Sequence, residues 1–232
     1  LIRRDLLKQF LTLVVLIFVL GICWLKFLDV ENIKSELSVN KSQTAFHSNS
    51  DVYAQLDVEG TSIHYPVAQH LTEDSYYLTH DVDHNETIYG AVFTEGVNRK
   101  DFKDPVTIIY GHSTRDGSMF GTLSNFADTN FFETNRRITI RTQQEVIEYE
   151  VFAAYRFTDE HLFETYHLGD LKAVNDYQER IEEYSKQAQG HYRKSVAQAH
   201  GKLLILSTCD EKDGERRFVV HARERERNKS EE

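Results

Sequence analysis

The sequence predicts a mainly β domain with helical insertions, in which eight strands form a closed or nearly closed barrel, preceded by one N-terminal transmembrane helix. An uncharged apolar run near the N-terminus predicts the transmembrane helix. Eight later runs are rich in Val, Ile, Tyr and Phe and are separated by Gly, Asp and Asn, which is typical of strands and turns. One later segment has apolar residues at helical spacing, which indicates an insertion between strands.

The apolar run extends from Phe10 to Leu25 and is just long enough to cross a bilayer when flanking residues are included. A cleaved signal peptide is the alternative, but no small-x-small cleavage site follows the run. Basic residues precede the run and acidic residues follow it, so the positive-inside rule places the N-terminus in the cytoplasm. We therefore expect a cytoplasmic stub at 1–8, an anchor at 9–28 and the remainder of the chain outside the cell membrane.

A chain of 232 residues has room for one ordinary domain and a membrane segment, but not for two full domains. The polar segment 29–50 is predicted to be a linker. We expect the folded catalytic domain at 51–226 and a polar tail at 227–232.

The predicted strands and helices follow from the spacing of apolar residues. The strands are expected at 52–58, 63–67, 88–93, 106–110, 138–142, 146–157, 202–207 and 218–222. After Gly169, apolar side chains recur every three or four residues, which predicts an amphipathic helix. A second, shorter helix is predicted over 118–126.

The composition excludes several classes of function. The net charge is -10 and the basic residues are scattered, whereas nucleic acid binding needs Lys and Arg concentrated on one face. The 11 histidines contain no metal-binding motif such as HExxH. We therefore expect no nucleic acid partner, no metal and no cofactor.

Cys209 is the candidate nucleophile. It is the only cysteine outside the apolar run, so an exported domain has no second cysteine for an internal disulfide. A lone cysteine is most often a small buried apolar residue, and that alternative stays open. Cys209, however, follows an apolar strand at a point where side chains emerge to solvent. A nucleophilic cysteine would also need an adjacent base or positive charge to form the thiolate.

Two residues at the ends of other predicted strands are candidates to assist Cys209. His112 directly follows a strand and a turn glycine. Most of the other histidines lie in polar or mixed segments, and His221 lies inside a strand, where a structural role is expected. Arg217 begins the last predicted strand, across a short loop from Cys209. An arginine there can donate to an oxyanion or bind a carbonyl, and a solvated charge at the strand end is the alternative.

The alternation of side chains along the last strand predicts which of the adjacent residues Arg216 and Arg217 acts next to Cys209. Phe218, Val220 and Ala222 form the apolar set, which should face the barrel core. Arg217 then lies on the outer face, while Arg216 is expected in a solvated loop.

The three candidate residues lie in the motifs Leu206-Ser207-Thr208-Cys209, Tyr110-Gly111-His112 and Arg217-Phe218-Val219-Val220. In that order, these motifs resemble the Leu-x-Thr-Cys signature, the histidine segment and the third catalytic element of the sortases, the cell-wall transpeptidases of Gram-positive bacteria. Further segments at 76–78, 90–93 and 117–121 resemble the class B branch. The predicted helix after Gly169 is similar to the long helical insertion of that class.

The resemblance implies an eight-stranded sortase-type barrel whose cysteine attacks the Thr carbonyl of a sorting signal near the C-terminus of a secreted protein. An amine of a cell-wall precursor or a pilin lysine then resolves the acyl-enzyme. By this resemblance His112 is the general acid and later the general base, Cys209 the nucleophile and Arg217 the oxyanion donor. Ser207 and Thr208 are implied to line the substrate groove.

Two other functions stay open from the residues alone. A cysteine peptidase would share the Cys/His pair and would only hydrolyse its acyl-enzyme. A non-enzymatic surface module would use the strands for binding.

Overall fold

The computed structural model describes residues 49–158, 160–210 and 213–229. Nine strands form one mixed sheet. They are β1 (Val52–Val58), β2 (His64–Ala68), β3 (Val92–Phe93), β4 (Val106–Tyr110), β5 (Arg137–Thr142), β6 (Glu145–Phe157), β7 (His191–Tyr192), β8 (Leu203–Asp210) and β9 (Asp213–Lys229).

The sheet closes on itself. The strand order is β5-β1-β2-β3-β4-β8-β9-β6-β7, and β5 also pairs with β6. Eight strands therefore form a closed barrel, and the short β7 pairs with β6 at Ala153 and Ala154, beyond the part of β6 that pairs with β5. This confirms the predicted eight-stranded barrel. A closed barrel leaves no unpaired edge among its strands, which removes a route to aggregation.

Short helices fill the connections between strands. The α-helices are α1 (Thr129–Thr134), α2 (Leu162–Thr165), α3 (Leu171–Gln187) and α4 (Lys194–Ala197), and 3₁₀ helices occur at Tyr76–Leu78 and Gly121–Ala127. The helix predicted after Gly169 is confirmed as α3. It begins where the Asp170 side chain accepts hydrogen bonds from the backbone N–H groups of Lys172 and Ala173, as an N-cap should.

The core has two layers, one inside the barrel and one between the barrel wall and α3. Leu204, Leu206 and Phe218 belong to the inner layer. Ile205 and Val219 belong to the outer layer, with residues of α3. Because the first half of β8 is covered on both faces, residues 203–206 form a continuous apolar run and not an alternating pattern.

Several predicted elements differ from the observed ones. The strand predicted at 88–93 is reduced to Val92–Phe93, because the chain turns at 88–89 and Gly90 has a positive φ of 58°. The helix predicted at 118–126 is a 3₁₀ helix at Gly121–Ala127. Neither β7 nor α1 is indicated by the sequence pattern.

The last strand is much longer than the predicted 218–222. It extends to Lys229, beyond residue 226, and pairs with β6 along almost its whole length. The predicted anchor at 9–28 and nearly all of the linker lie outside the described residues. Within the part of the chain that is described, no helix has the length and apolar character needed to span a membrane.

His221 has a structural role in the outer layer, as its position within a strand predicts. It is completely buried, its Nε2 lies 2.8 Å from the Tyr177 hydroxyl, and its ring stacks on Tyr155 at 5.2 Å. Burial, assisted by the charge of Arg223, lowers the pKa of His221 to about 3. The imidazole is therefore neutral at physiological pH.

The buried neutral His221 is expected to destabilise the fold in acid. The folded protein protonates this ring at about pH 3, whereas an unfolded chain does so near its ordinary pKa of about 6.5. Between these values the unfolded state holds more protons, so the free energy of unfolding falls as pH decreases, by about 1.4 kcal/mol per pH unit. The free energy of unfolding of wild type and His221→Gln can be measured with urea from pH 4 to 7. Its decrease with falling pH should be smaller in His221→Gln by about 1.4 kcal/mol per pH unit. Identical slopes in the two proteins would contradict the low pKa of His221.

Candidate active site

The register of three neighbouring strands brings His112, Cys209 and Arg217 into one row. Tyr110 of β4 pairs with Ser207 of β8 in parallel, and the N–H of Gly111 donates to the Ser207 carbonyl at 3.3 Å. His112 and Cys209 each follow these paired residues by two positions. Cys209 in turn pairs with Arg217 across the antiparallel β8–β9 ladder. The backbones of the three residues therefore meet at one end of the barrel.

The side-chain alternation in β9 is as predicted. Phe218, Val220 and Ala222 lie in the inner core, whereas Val219 lies in the outer layer. Arg217 is partly buried and has the same parity along the strand as Val219. The predicted core face of this strand is confirmed.

The loop predicted before Arg217 is largely replaced by strand. β8 continues through Asp210 and β9 begins at Asp213, so Arg216 lies within β9 and its predicted position in a loop is wrong. The physical reason is that β8 and β9 stay paired beyond Cys209 and Arg217, through Asp210 and Asp213, and this pairing satisfies backbone groups that a loop would expose.

His112 is oriented by a backbone carbonyl. Its Nε2 lies 2.8 Å from the carbonyl oxygen of Leu78, the last residue of the 3₁₀ helix Tyr76–Leu78. A carbonyl oxygen only accepts hydrogen bonds, so Nε2 is the nitrogen that donates and Nδ1 carries the lone pair in the neutral ring. A second bond, from the N–H of Phe120 to the carbonyl of His112 at 2.8 Å, fixes its backbone. His112 can therefore accept or release a proton at Nδ1.

The 3₁₀ helix that holds His112 is attached to the start of the barrel. The Tyr77 hydroxyl donates to the Asp51 carboxylate at 2.9 Å and accepts from the Asn49 amide at 3.1 Å. Burial, together with the charge of Asp51, raises the pKa of Tyr77. The segment before β1 thus takes part in positioning the Leu78 carbonyl.

Gly90 provides a test of this orientation. A Cβ at Gly90 would lie 2.4 Å from the Tyr77 carbonyl oxygen and 2.9 Å from that of Leu78, and the φ of 58° is unfavourable for alanine. Gly90→Ala should displace the Leu78 carbonyl and lower kcat/KM by about 10-fold or more, because small misplacements of catalytic groups are costly. Steady-state kinetics on a peptide substrate measures this.

Gly60→Ala is the matched control for that variant. Gly60 also has a positive φ, of 74°, and its Cβ would clash with the Asn135 side chain, away from the contacts of His112. Both variants should lose stability, but only Gly90→Ala should lose activity. Equal kcat/KM losses in the two proteins would show that strain, and not the orientation of His112, causes the effect.

Ser207 and Thr208, the candidate groove residues, are buried beneath the surface. Their exposed fractions are 1% and 2%, and among the described residues the Ser207 hydroxyl has no hydrogen-bond partner. Their role in substrate binding stays a prediction.

The sequence does not indicate several groups next to the row. Glu95 follows β3, and its carboxylate lies 2.6 Å from Nε2 of His161. The ring of His161 stacks on Tyr110 at 6.1 Å. The polar segment around His161 argues against a fixed position, and only the packing of that segment against β4 shows that the ring is held in place. No group of metal-ligating residues occurs within 49–158, 160–210 and 213–229.

Comparison with known proteins identifies relatives of this fold. The Sortase domain family model matches residues 56–225. The chain is 30% identical over 178 residues to Sortase B of Listeria monocytogenes, covering 75% of this chain and 70% of that protein.

Solved structures of similar architecture come from the same class. Clostridium perfringens sortase B is 25% identical with a TM-score of 0.69, covering 79% of this chain and 99% of that one. A Streptococcus pyogenes class B sortase involved in pilus biogenesis is 26% identical with a TM-score of 0.66, covering 79% of this chain and 97% of that one.

Proposed function

The chain belongs to the sortase family and is a cysteine transpeptidase similar to class B sortases, and on this premise we propose that it cleaves a C-terminal sorting signal of secreted proteins after Thr and transfers the acyl group to an amine. The observation that carries the proposal is the row of His112, Cys209 and Arg217 at the end of β4, β8 and β9. Acyl transfer needs a nucleophile, a proton carrier and an oxyanion donor close together.

The proposed reaction has two stages. The Cys209 thiolate attacks the Thr carbonyl carbon, and the negative charge that develops on oxygen is stabilised by Arg217. The peptide C–N bond then breaks, and protonated His112 gives its proton to the leaving amine. In the second stage an incoming amine attacks the thioester, His112 accepts its proton, and the Cys209 sulfur leaves.

The hydrogen bond to Leu78 supports the role of His112. It holds the ring through Nε2 and leaves Nδ1 for proton transfer. A ring fixed in this way needs little reorganisation when it changes from acid to base between the two stages.

For the acceptor we propose an amine of a cell-wall precursor or a pilin lysine. The resemblance of the three motifs to those of the sortases, which are cell-wall transpeptidases, supports the first, and the similarity to the Streptococcus pyogenes enzyme of pilus biogenesis supports the second. Competition between a glycine peptide and a lysine-containing peptide for the acyl-enzyme distinguishes the two.

Incubation of the enzyme with sorting-signal peptides and a glycine amine tests the function. A ligated product supports transpeptidation. Cleaved peptide without ligation would indicate a peptidase that only hydrolyses, and no reaction with any of the sorting-signal peptides would favour a binding module. Mass spectrometry of the products separates the three outcomes.

We further propose that residues 9–28 anchor the protein in the cell membrane, with residues 1–8 in the cytoplasm and the catalytic domain outside. The apolar run and the charges around it support this topology.

Removal of the proposed anchor should leave catalysis intact. A truncated protein that begins at about residue 48 keeps Asn49 and Asp51, and we expect it to be soluble and as active as the full chain. One that begins at Val52 leaves the Tyr77 hydroxyl without both partners, which should cost about 1–3 kcal/mol of stability. Peptide cleavage and thermal unfolding measure the two effects. A folded but inactive protein from residue 48 would show that the anchor belongs to the active unit.

A further inference from the structure

Glu95 is a largely buried carboxylate that the proposed reaction does not use. Its side chain is 15% exposed, and it lies two residues after the end of β3. The Gln69 side-chain amide donates to the Glu95 carbonyl at 2.7 Å and to the Asn98 carbonyl at 2.7 Å. The backbone of this segment is therefore tightly held, and the position of the carboxylate is well defined.

Both oxygens of the Glu95 carboxylate have partners on other elements. Oε1 lies 2.6 Å from Nε2 of His161, and Oε2 accepts a long hydrogen bond of 3.5 Å from the Tyr110 hydroxyl. The Tyr110 ring stacks with Phe93 at 5.5 Å and with His161 at 6.1 Å. Three segments of the chain thus converge to hold one negative charge.

The strand register places Arg217 and Tyr110, the hydroxyl partner of this carboxylate, on the same face of the sheet. Tyr110 and Ser207 are paired in β4 and β8, Ser207 and Val219 are paired in β8 and β9, and Arg217 precedes Val219 by two residues on the same side of the sheet. Burial and the charge of Glu95 raise the pKa of Tyr110, while the charge of Arg217 opposes them. The Tyr110 hydroxyl therefore lies in the electric fields of both Glu95 and Arg217.

We propose that Glu95 is a positioning residue for Arg217, and that Tyr110 and His161 hold its carboxylate in place. Arginine has a long side chain with many rotamers, and ordering it during the reaction would oppose catalysis. A fixed anion on the face of the sheet from which Arg217 emerges lowers that cost, because it favours one orientation of the guanidinium. The fork of five N–H donors lets arginine interact with the Glu95–Tyr110 pair while it donates to a substrate oxygen. The inference rests on the proposed function, because it assumes that Arg217 acts on the substrate.

The test is a double-mutant cycle on acyl-enzyme formation in single-turnover experiments with the full chain and a sorting-signal peptide. Glu95→Gln removes the charge with little change in shape. We expect the acylation rate constant to fall roughly 10-fold, an effect of the size that double-mutant cycles find for interacting neighbours. In an Arg217→Ala background the same change should have almost no further effect. Glu95→Asp, which keeps the charge, should recover part of the activity. Glu164→Gln, an exposed acid in α2, is the matched control and should behave as wild type.

A second readout separates positioning from a structural role. Alkylation of Cys209 by iodoacetamide needs no oxyanion donor, so its rate should be the same in Glu95→Gln and wild type. One contrary result is that Glu95→Gln lowers the acylation rate constant by the same factor in the wild-type and Arg217→Ala backgrounds, and another is that it also lowers the rate of Cys209 alkylation. Either result would show that Glu95 acts only on the fold. If Glu95→Gln does not fold, His161→Gln loosens the same carboxylate and gives the same comparison.

The outcomes distinguish this inference from the proposed function. If Arg217→Ala is strongly impaired while Glu95→Gln has wild-type activity, the positioning role is overturned and the function of Arg217 stands. If Arg217→Ala itself keeps full activity, the proposed oxyanion donor is wrong, and the inference falls with it.

Discussion

Cys209→Ala is expected to abolish acyl-enzyme formation, because the proposed thioester needs a thiol and the predicted catalytic domain has no other cysteine. His112→Ala should have the same consequence, since a free thiol has a pKa of about 8.5 and is mostly protonated near neutral pH without a partner. Intact-mass measurement after incubation with a sorting-signal peptide detects the acyl-enzyme directly. In the wild type, the dependence of kcat/KM on pH should be bell-shaped, as expected for a coupled pair.

His64→Ala is a suitable control for the histidine variant. His64 is well exposed at the start of β2 and pairs with Asp57, so its removal should leave acylation unchanged. A fully active His112→Ala protein would assign the proton-transfer role to another histidine. The hydrogen bond between His112 and the Leu78 carbonyl would then have only a structural purpose.

Arg217→Ala is expected to lower kcat/KM by roughly 100-fold or more, on the scale of losing one oxyanion donor. Arg217→Lys should not restore the rate, because an ammonium group lacks the planar fork that can hold one oxygen while it donates to another. Kinetics with the sorting-signal peptide under identical conditions measures both losses.

Arg216→Ala is the matched control, since it removes the same charge one residue earlier in β9. Its activity should stay within a few-fold of wild type, because the register pairs Cys209 with Arg217 and not with Arg216. A larger loss at Arg216 than at Arg217 would mean that the residue assignment is wrong, although the core face of β9 would still be occupied by Phe218 and Val220.

The elements that the sequence predicts correctly are those in which local pattern and tertiary environment agree. β1 alternates buried and partly exposed residues along its whole length, and its observed bounds are the predicted ones. α3 buries Val174, Tyr177 and Ile181 at helical spacing. By contrast, the prediction at 88–93 relies on apolar content alone, and Ile88 is 86% exposed. Apolar content alone does not distinguish a residue in a turn from one in a strand.

The sequence by itself determined the barrel class, the insertion helix and the three motifs at strand ends, because each depends on residues close together in the chain. The tertiary structure decided that β9 extends to Lys229, that the Leu78 carbonyl orients His112, and that Glu95 lies beside Tyr110 and His161. These features join residues that are far apart in sequence, and their energies come from pairing and packing that exist only once the barrel has closed. No local pattern encodes them.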